Sequence, residues 1–178
     1  LVDLTFDTQG FSYGENPDGW QFVFKNAIKN LGLSGKKIGM EPRSLRMFEY
    51  GFLNKAAPGA QFVDAGALIS SMRMLKDGSE VETIRRAVIV SQKALQNTLP
   101  QVKIGMTEKE IAAELTMQLL RCGSEPEMAF SPIVSGGLNG ANPHAIPGSR
   151  KLQSGDLLVI DWGAVVDGYV SDLTRTFA

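Results

Sequence analysis

Apolar residues recur at helical spacing through much of the chain and alternate with polar ones toward its end. Asn16 and Pro17 precede Trp20, Phe24, Ala27, Ile28 and Leu31, and Gly32 follows. An asparagine cap, a proline at the first helical position and a closing glycine mark the two ends of a helix. Residues 37–40 and 61–63 are short strand candidates, and Leu45, Phe48, Phe52 and Leu53 between them predict a second helix ending before Pro58-Gly59. Such alternation argues for a parallel sheet with covering helices. The character changes after the Lys76-Asp77-Gly78 turn. Ser79 with Glu82, then Thr107 with Glu110, read as capping boxes that open two further helices. The apolar stripe of the first is Val81, Ile84, Ala87, Val88 and Leu95; that of the second is Ile111, Leu115 and Leu119, closed by Gly123. From Ala129 onward the pattern is β, with a strand over 130–135, a Gly/Asn/Pro loop over 136–148 and then a hairpin. The chain is therefore expected to hold an α/β N-terminal portion, residues 1–72, followed by an α+β portion, residues 73–178.

Across 178 residues, 43% apolar with 21% charged is a globular composition able to bury a core. With 18 basic against 19 acidic residues, the net charge of −1 offers no basic face to nucleic acid and no polybasic segment to a membrane surface. No apolar run approaches the ~20 residues of a spanning helix, and no signal-peptide pattern opens the chain. The single cysteine, Cys122, excludes an internal disulfide and suits a reducing compartment, so a cytoplasmic location is expected. Met72, Met74, Met106 and Met117 are expected to fill gaps in the core. The chain opens on Leu1 and stops just after Phe177, inside an expected strand, which leads us to expect a piece of a longer protein.

The sharpest chemical signal is a pair of aspartates, in Leu157-Leu158-Val159-Ile160-Asp161-Trp162-Gly163 and in Ser171-Asp172-Leu173-Thr174-Arg175. Asp167-Gly168 between them is a hairpin turn signal, and a two-residue turn there pairs Asp161 with Thr174 and Gly163 with Asp172. Both carboxylates then share one face as diagonal neighbours, with Cα atoms roughly 5 to 8 Å apart. The same parity sends Ile160, Trp162, Ala164, Val166, Tyr169, Leu173 and Phe177 to the opposite, buried face. Two anions this close repel unless a cation or a basic partner neutralises them. A divalent-metal site is one reading; strand-edge carboxylates satisfied by Arg175, Thr174 or backbone donors is the other. His144, the sole histidine, lies between Pro143 and Pro147 in the loop before the hairpin. Imidazole is poised between charge states near neutral pH, so it either contacts substrate there or decorates the surface. Gly136-Gly137 and Gly140 are a weak signal for phosphate binding, because no helix N-terminus follows and no lysine is spaced as in a P-loop.

Taken in order, Ile133-Val134-Ser135-Gly136, Asn142-Pro143-His144-Ala145, Gly155-Asp156 leading to Asp161-Trp162-Gly163-Ala164, and Asp167-Gly168 leading to Ser171-Asp172-Leu173-Thr174-Arg175-Thr176-Phe177 resemble the pita-bread metallopeptidases. Within that superfamily they look most like the prolidases and Xaa-Pro aminopeptidases. Lys37-Ile38-Gly39-Met40-Glu41 resembles the creatinase-type N-terminal domain, and Met74-Leu75-Lys76-Asp77-Gly78-Ser79-Glu80 resembles the usual junction. The resemblance implies a creatinase-type N-terminal domain fragment over 1–72 plus the first half of a pita-bread catalytic domain over 73–178. It implies that Asp161 and Asp172 are metal ligands for two divalent ions, manganese, cobalt, iron or zinc, with Asp172 bridging them. His144 would contact substrate and the tetrahedral intermediate. The family's other ligands, one histidine and two glutamates, would lie outside these residues, so the chain alone is expected to be inactive. The implied activity is hydrolysis of the peptide bond preceding proline in short peptides, by a homodimer. A related small-molecule amide hydrolase of the same fold and a pita-bread binding module without activity stay open. A two-carboxylate glycosidase is poorly supported, since nothing supplies an aromatic sugar platform or an acid-raising pocket.

Overall fold

The computed structural model describes residues 9–128 and 130–178. Residues 1–8 and Ala129, with which the expected N-terminal portion and β-rich stretch begin, lie outside the described residues. Two compact units divide the chain, Leu1–Leu75 and Lys76–Ala178.

In the N-terminal unit Asn16 caps a 3-10 turn, Pro17–Gly19, that runs into α1 (Trp20–Asn30). Gly32 ends this helix at a φ of 62°, a left-handed conformation that only glycine adopts without strain. β1 (Lys37–Met40) and β2 (Gln61–Asp64) pair in parallel across α2 (Met47–Ala56), with Ile38 opposite Phe62. Leu45, expected on the second helix, precedes it. Ile28, Ala56 and Ala57 are buried against Phe24, Leu53 and Phe62, and the rings of Trp20, Phe24, Phe48 and Phe52 meet at centroid distances from 5.0 to 6.2 Å. The sequence pattern does not reveal α3 (Gly66–Met74): Ala65 at its cap position has no capping side chain, and the start is satisfied from further back, by Asp64 Oδ1 accepting from Gly66 N at 2.7 Å. Met72 and Met74 on this helix are exposed, contrary to their expected place in the core.

The second unit opens with α4 (Gly78–Thr98). Its cap is Asp77, not Ser79: Asp77 Oδ1 accepts from Ser79 N and Glu80 N at 2.8 and 2.9 Å, and Glu80 Oε2 accepts from Asp77 N at 2.7 Å. A carboxylate complements the positive helix end better than a hydroxyl does, and the Ser79 hydroxyl itself donates to Asp77. The buried stripe is accordingly Ala87, Ser91, Ala94, Leu95 and Thr98, with Val81 exposed. α5 (Glu108–Arg121) carries the expected Thr107/Glu110 capping box, and Gly123 follows it at a φ of 104°. β3 (Ile133–Gly136) starts later than expected, after Pro132, which has no N–H to give a ladder. β4 (Leu158–Trp162), β5 (Val165–Val166), β6 (Tyr169–Val170) and β7 (Leu173–Phe177) complete the unit. The main sheet is antiparallel in the order β3-β4-β7, so β4 is central. Leu95, Ile111, Leu115, Val134, Leu158, Ile160 and Trp162 form the core between helices and sheet, each large side chain worth roughly 1.5 to 3 kcal/mol when fully buried. Met106 packs against this core; Met117 is exposed. Among the described residues no helix is long and apolar enough to cross a membrane.

Candidate metal centre and its supporting loop

The turn at Asp167-Gly168 has φ values of 48° and 75°, both left-handed, as a two-residue type I′ hairpin requires. The register follows from it: Val166 faces Tyr169, Val165 faces Val170, Trp162 faces Leu173 and Asp161 faces Thr174. Asp161 is thus on the central strand, and Asp172 immediately precedes β7, two residues before Asp161's partner. Side chains from α4 and from the segment after α5 secure the hairpin tip. Arg86 pairs with Asp167 at 2.8 Å, Glu125 Oε1 accepts from Gly168 N at 3.1 Å, and Tyr169 donates its hydroxyl to Glu80 at 2.7 Å. That hydroxyl, followed by Asp77 N–H, holds the Glu80 carboxyl below its ordinary value.

Along β4, Leu158, Ile160 and Trp162 are buried while Val159 and Asp161, on the other face, are half-buried. Asp161 Oδ1 is nonetheless inaccessible and has no hydrogen-bond partner. Ser135 Oγ is in the same condition; Ile133 lies opposite Asp161, so Ser135, two residues on, shares its face. Arg175 does not neutralise the aspartates: it lies opposite Ile160, on the other side of the ribbon, and donates to Thr174 O at 2.7 Å. A buried carboxylate oxygen without a donor is costly, and a cation is one partner able to relieve it. Two carboxylates are hard oxygen donors that fit a divalent ion. They are also few: among the described residues, no three His, Cys, Asp or Glu side chains converge.

Gly163 separates Asp161's strand from the turn. A Cβ there would overlap the Ser171 carbonyl oxygen and lie 3.1 Å from Phe130 Cε1, so glycine is what lets the two chains close beside the aspartates.

His144 is exposed, in a loop whose local shape is an Asx turn, with His144 N donating to Asn142 Oδ1 at 3.0 Å. The ends of this loop are held by Glu108, the first residue of α5, which is only 3% exposed. Its Oε1 accepts from Gly136 N and Asn139 Nδ2, and its Oε2 from Gly148 N, all at 2.9 Å. Burial works most strongly against its ionisation, but those three hydrogen bonds and the nearby Arg150 charge outweigh it, so Glu108 titrates below its ordinary 4.5. Arg150 forms a two-pronged pair with Asp156 at 2.7 and 2.8 Å, and a Cβ on Gly136 would come within 2.9 Å of that guanidinium. The Gly136-Gly137 pair thus makes room for an ion pair rather than for a phosphate. Arg150 first, then Gln153 N–H, keeps Asp156 below the usual carboxylate range. Sequence reasoning missed Glu108, whose position in the first turn reads as an ordinary helix-dipole partner.

Residues 82–178 match metallopeptidase family M24, and residues 16–75 match the Creatinase/Prolidase N-terminal domain. The chain belongs to metallopeptidase family M24. It is 33% identical over 144 residues to the Xaa-Pro dipeptidase of Pyrococcus horikoshii, covering 79% of this chain and 40% of that protein. To the Xaa-Pro dipeptidase of Lactobacillus helveticus it is 29% identical over 169 residues, 94% of this chain and 46% of that one. The crystal structure of X-Pro aminopeptidase from Thermotoga maritima superposes with a TM-score of 0.77 at 32% identity, over 88% of this chain and 43% of that one. The chain therefore spans less than half the length of these relatives. The fold is the expected one, a creatinase-type N-terminal domain followed by part of a pita-bread catalytic domain.

Proposed function

We propose that the protein carrying this chain is a metal-dependent hydrolase that cleaves the peptide bond preceding proline in short peptides, as an Xaa-Pro dipeptidase or aminopeptidase. The observation that carries this reading is Asp161 Oδ1, a buried carboxylate oxygen without a donor, two residues in register from Asp172 on the other arm of the hairpin. Likeness to the two Xaa-Pro dipeptidases supplies the substrate class. In this reading residues 1–72 belong to the N-terminal domain and 73–178 to the catalytic one. Asp161 and Asp172 share a face and donate oxygens to a pair of divalent ions, manganese the first to test, with further donors from residues other than those described. Such ions, when bound, supply Lewis-acid polarisation and activate water near neutral pH. His144 hydrogen-bonds substrate and stabilises the negative charge that develops on the scissile carbonyl oxygen. A cytoplasmic homodimer is the form this reading carries.

With manganese, the protein is expected to hydrolyse an Xaa-Pro dipeptide and to leave the matching Xaa-Ala dipeptide largely intact. Asp161→Asn and Asp172→Asn each remove the manganese-dependent rate, whereas His144→Ala lowers kcat and keeps manganese bound. Equal turnover of both dipeptides sinks the proline specificity. No turnover and no manganese uptake would make the protein a binding module. The chain alone should bind manganese weakly; tight stoichiometric uptake by calorimetry would mean that no further donors are needed.

A further inference from the structure

Ser91 lies on α4, wholly buried, and touches the hairpin at the residues adjoining the two aspartates. Its carbonyl accepts from Trp162 Nε1 at 3.0 Å, and Trp162 follows Asp161. Its Oγ is 2.8 Å from Ser171 Oγ, and Ser171 precedes Asp172. Ser171 Oγ accepts from Ala164 N at 3.0 Å, and its own O–H reaches Ala87 O at 3.2 Å, with Ala164 O at 3.4 Å the longer alternative. Either serine can supply the proton the two hydroxyls share. A serine inside a helix ordinarily bonds back to the carbonyl four residues earlier, which for Ser91 is Ala87 O. Ser171 also reaches that carbonyl, so the two hydroxyls and Ala87 O form one linked network across to the hairpin. A helix rung is thereby tied to both arms of the hairpin from the core side.

We propose that Ser91 is a positioning residue: by holding Trp162 and Ser171 it fixes the spacing of Asp161 and Asp172, and so sets how well the pair accepts a divalent cation. The inference rests on the two aspartates being metal donors. Successive residues on a strand face opposite ways, so a grip on Trp162 and Ser171 constrains their neighbours without entering the site. Partners that orient metal ligands commonly govern affinity by 10- to 100-fold.

The test is a cobalt(II) titration of the protein carrying this chain, well below its melting temperature, reading affinity and the visible d–d absorption that reports ligand geometry. Ser91→Ala is expected to weaken cobalt binding at least about tenfold and to change the d–d bands. Trp162→Phe, which keeps an aromatic side chain of smaller volume and removes the Nε1 donor, should move both readings the same way. If Ser91→Ala binds cobalt with parental affinity and an unchanged spectrum, the proposal is wrong, whatever happens to the melting temperature. Should Ser91→Ala not fold, Trp162→Phe carries the same two outcomes. Asp161→Asn is the separate arm: parental cobalt binding in that variant refutes the metal site itself, while loss there with none in the Ser91 and Trp162 variants refutes only the positioning role.

Discussion

Gly163→Ala is expected to lower the melting temperature of the catalytic unit by more than about 10 °C and to weaken metal uptake at the same time. The added Cβ meets the Ser171 carbonyl oxygen, a backbone atom that cannot rotate aside, and Phe130 closes the other direction at 3.1 Å. The two chains must part where Trp162 leaves β4 and Leu173 enters β7. Overpacking a well-filled site costs roughly 1 to 3 kcal/mol, and a backbone obstacle puts this case at the upper end. About 3 kcal/mol corresponds to roughly 12 to 24 °C in a unit of this size. Asp161 and Asp172 flank the forced gap, so their spacing changes with it. Circular dichroism melts read the first effect and manganese titration the second. Gly78→Ala serves as the comparison, since a Cβ there meets nothing within 4 Å and alanine favours the helix that starts at that residue. Equal melting temperatures for the two variants would show that the strands are not closed as described.

Glu108→Ala should cost about 3 to 5 kcal/mol, because it strips the acceptor from the buried Gly136 N–H, the half-buried Gly148 N–H and Asn139 at once. The loss should appear in urea melts and as rapid hydrogen exchange at Gly136 and Gly148, the two ends of the His144 loop. Glu108→Gln keeps the shape but replaces one acceptor oxygen with a donor that faces another N–H, so it should recover only part of the stability. The pH dependence has a definite sign. The folded-state carboxyl titrates below its ordinary 4.5, so its contribution is complete above that value and is lost as pH falls through the lower folded one. The parent protein should therefore lose stability on acidification below about pH 4.5 more steeply than Glu108→Gln. Parallel curves for the two proteins would show that Glu108 carries no such charge-dependent stabilisation.

The hairpin and its register were readable from the sequence because Asp167-Gly168 admits so few turn geometries, and a fixed turn determines every pair on both arms. α5 was equally readable from Thr107, Glu110 and its apolar stripe. The start of α4 was not, since Asp77 and Ser79 both suit a cap and the choice depends on which fits the electrostatics of the helix end. α3 was hidden because its start is satisfied by Asp64, in the preceding strand, rather than by the cap residue. Long-range partners were the real limit. Glu108 meets Gly136 and Gly148 only after the chain has returned from 28 and 40 residues away, and no local pattern announces that. Ser91 reads as an intrusion in an apolar stripe until Ser171 is found against it. Arg175 was one of the partners the strand-edge reading offered the carboxylates, yet its parity on β7 sends it to the other side.

The paired aspartates lie within one uninterrupted stretch closed by a two-residue bend, whereas β3 joins the same sheet only after the loop that bears His144. Closing a short local bend takes microseconds, and contacts between segments far apart in the chain come more slowly because more chain entropy must be surrendered. The hairpin arms that carry Asp161 and Asp172 are therefore expected to pair before β3 is laid against β4. In the proposed metal site the two acids repel until a cation screens them, which would make divalent salt a variable of the folding rate.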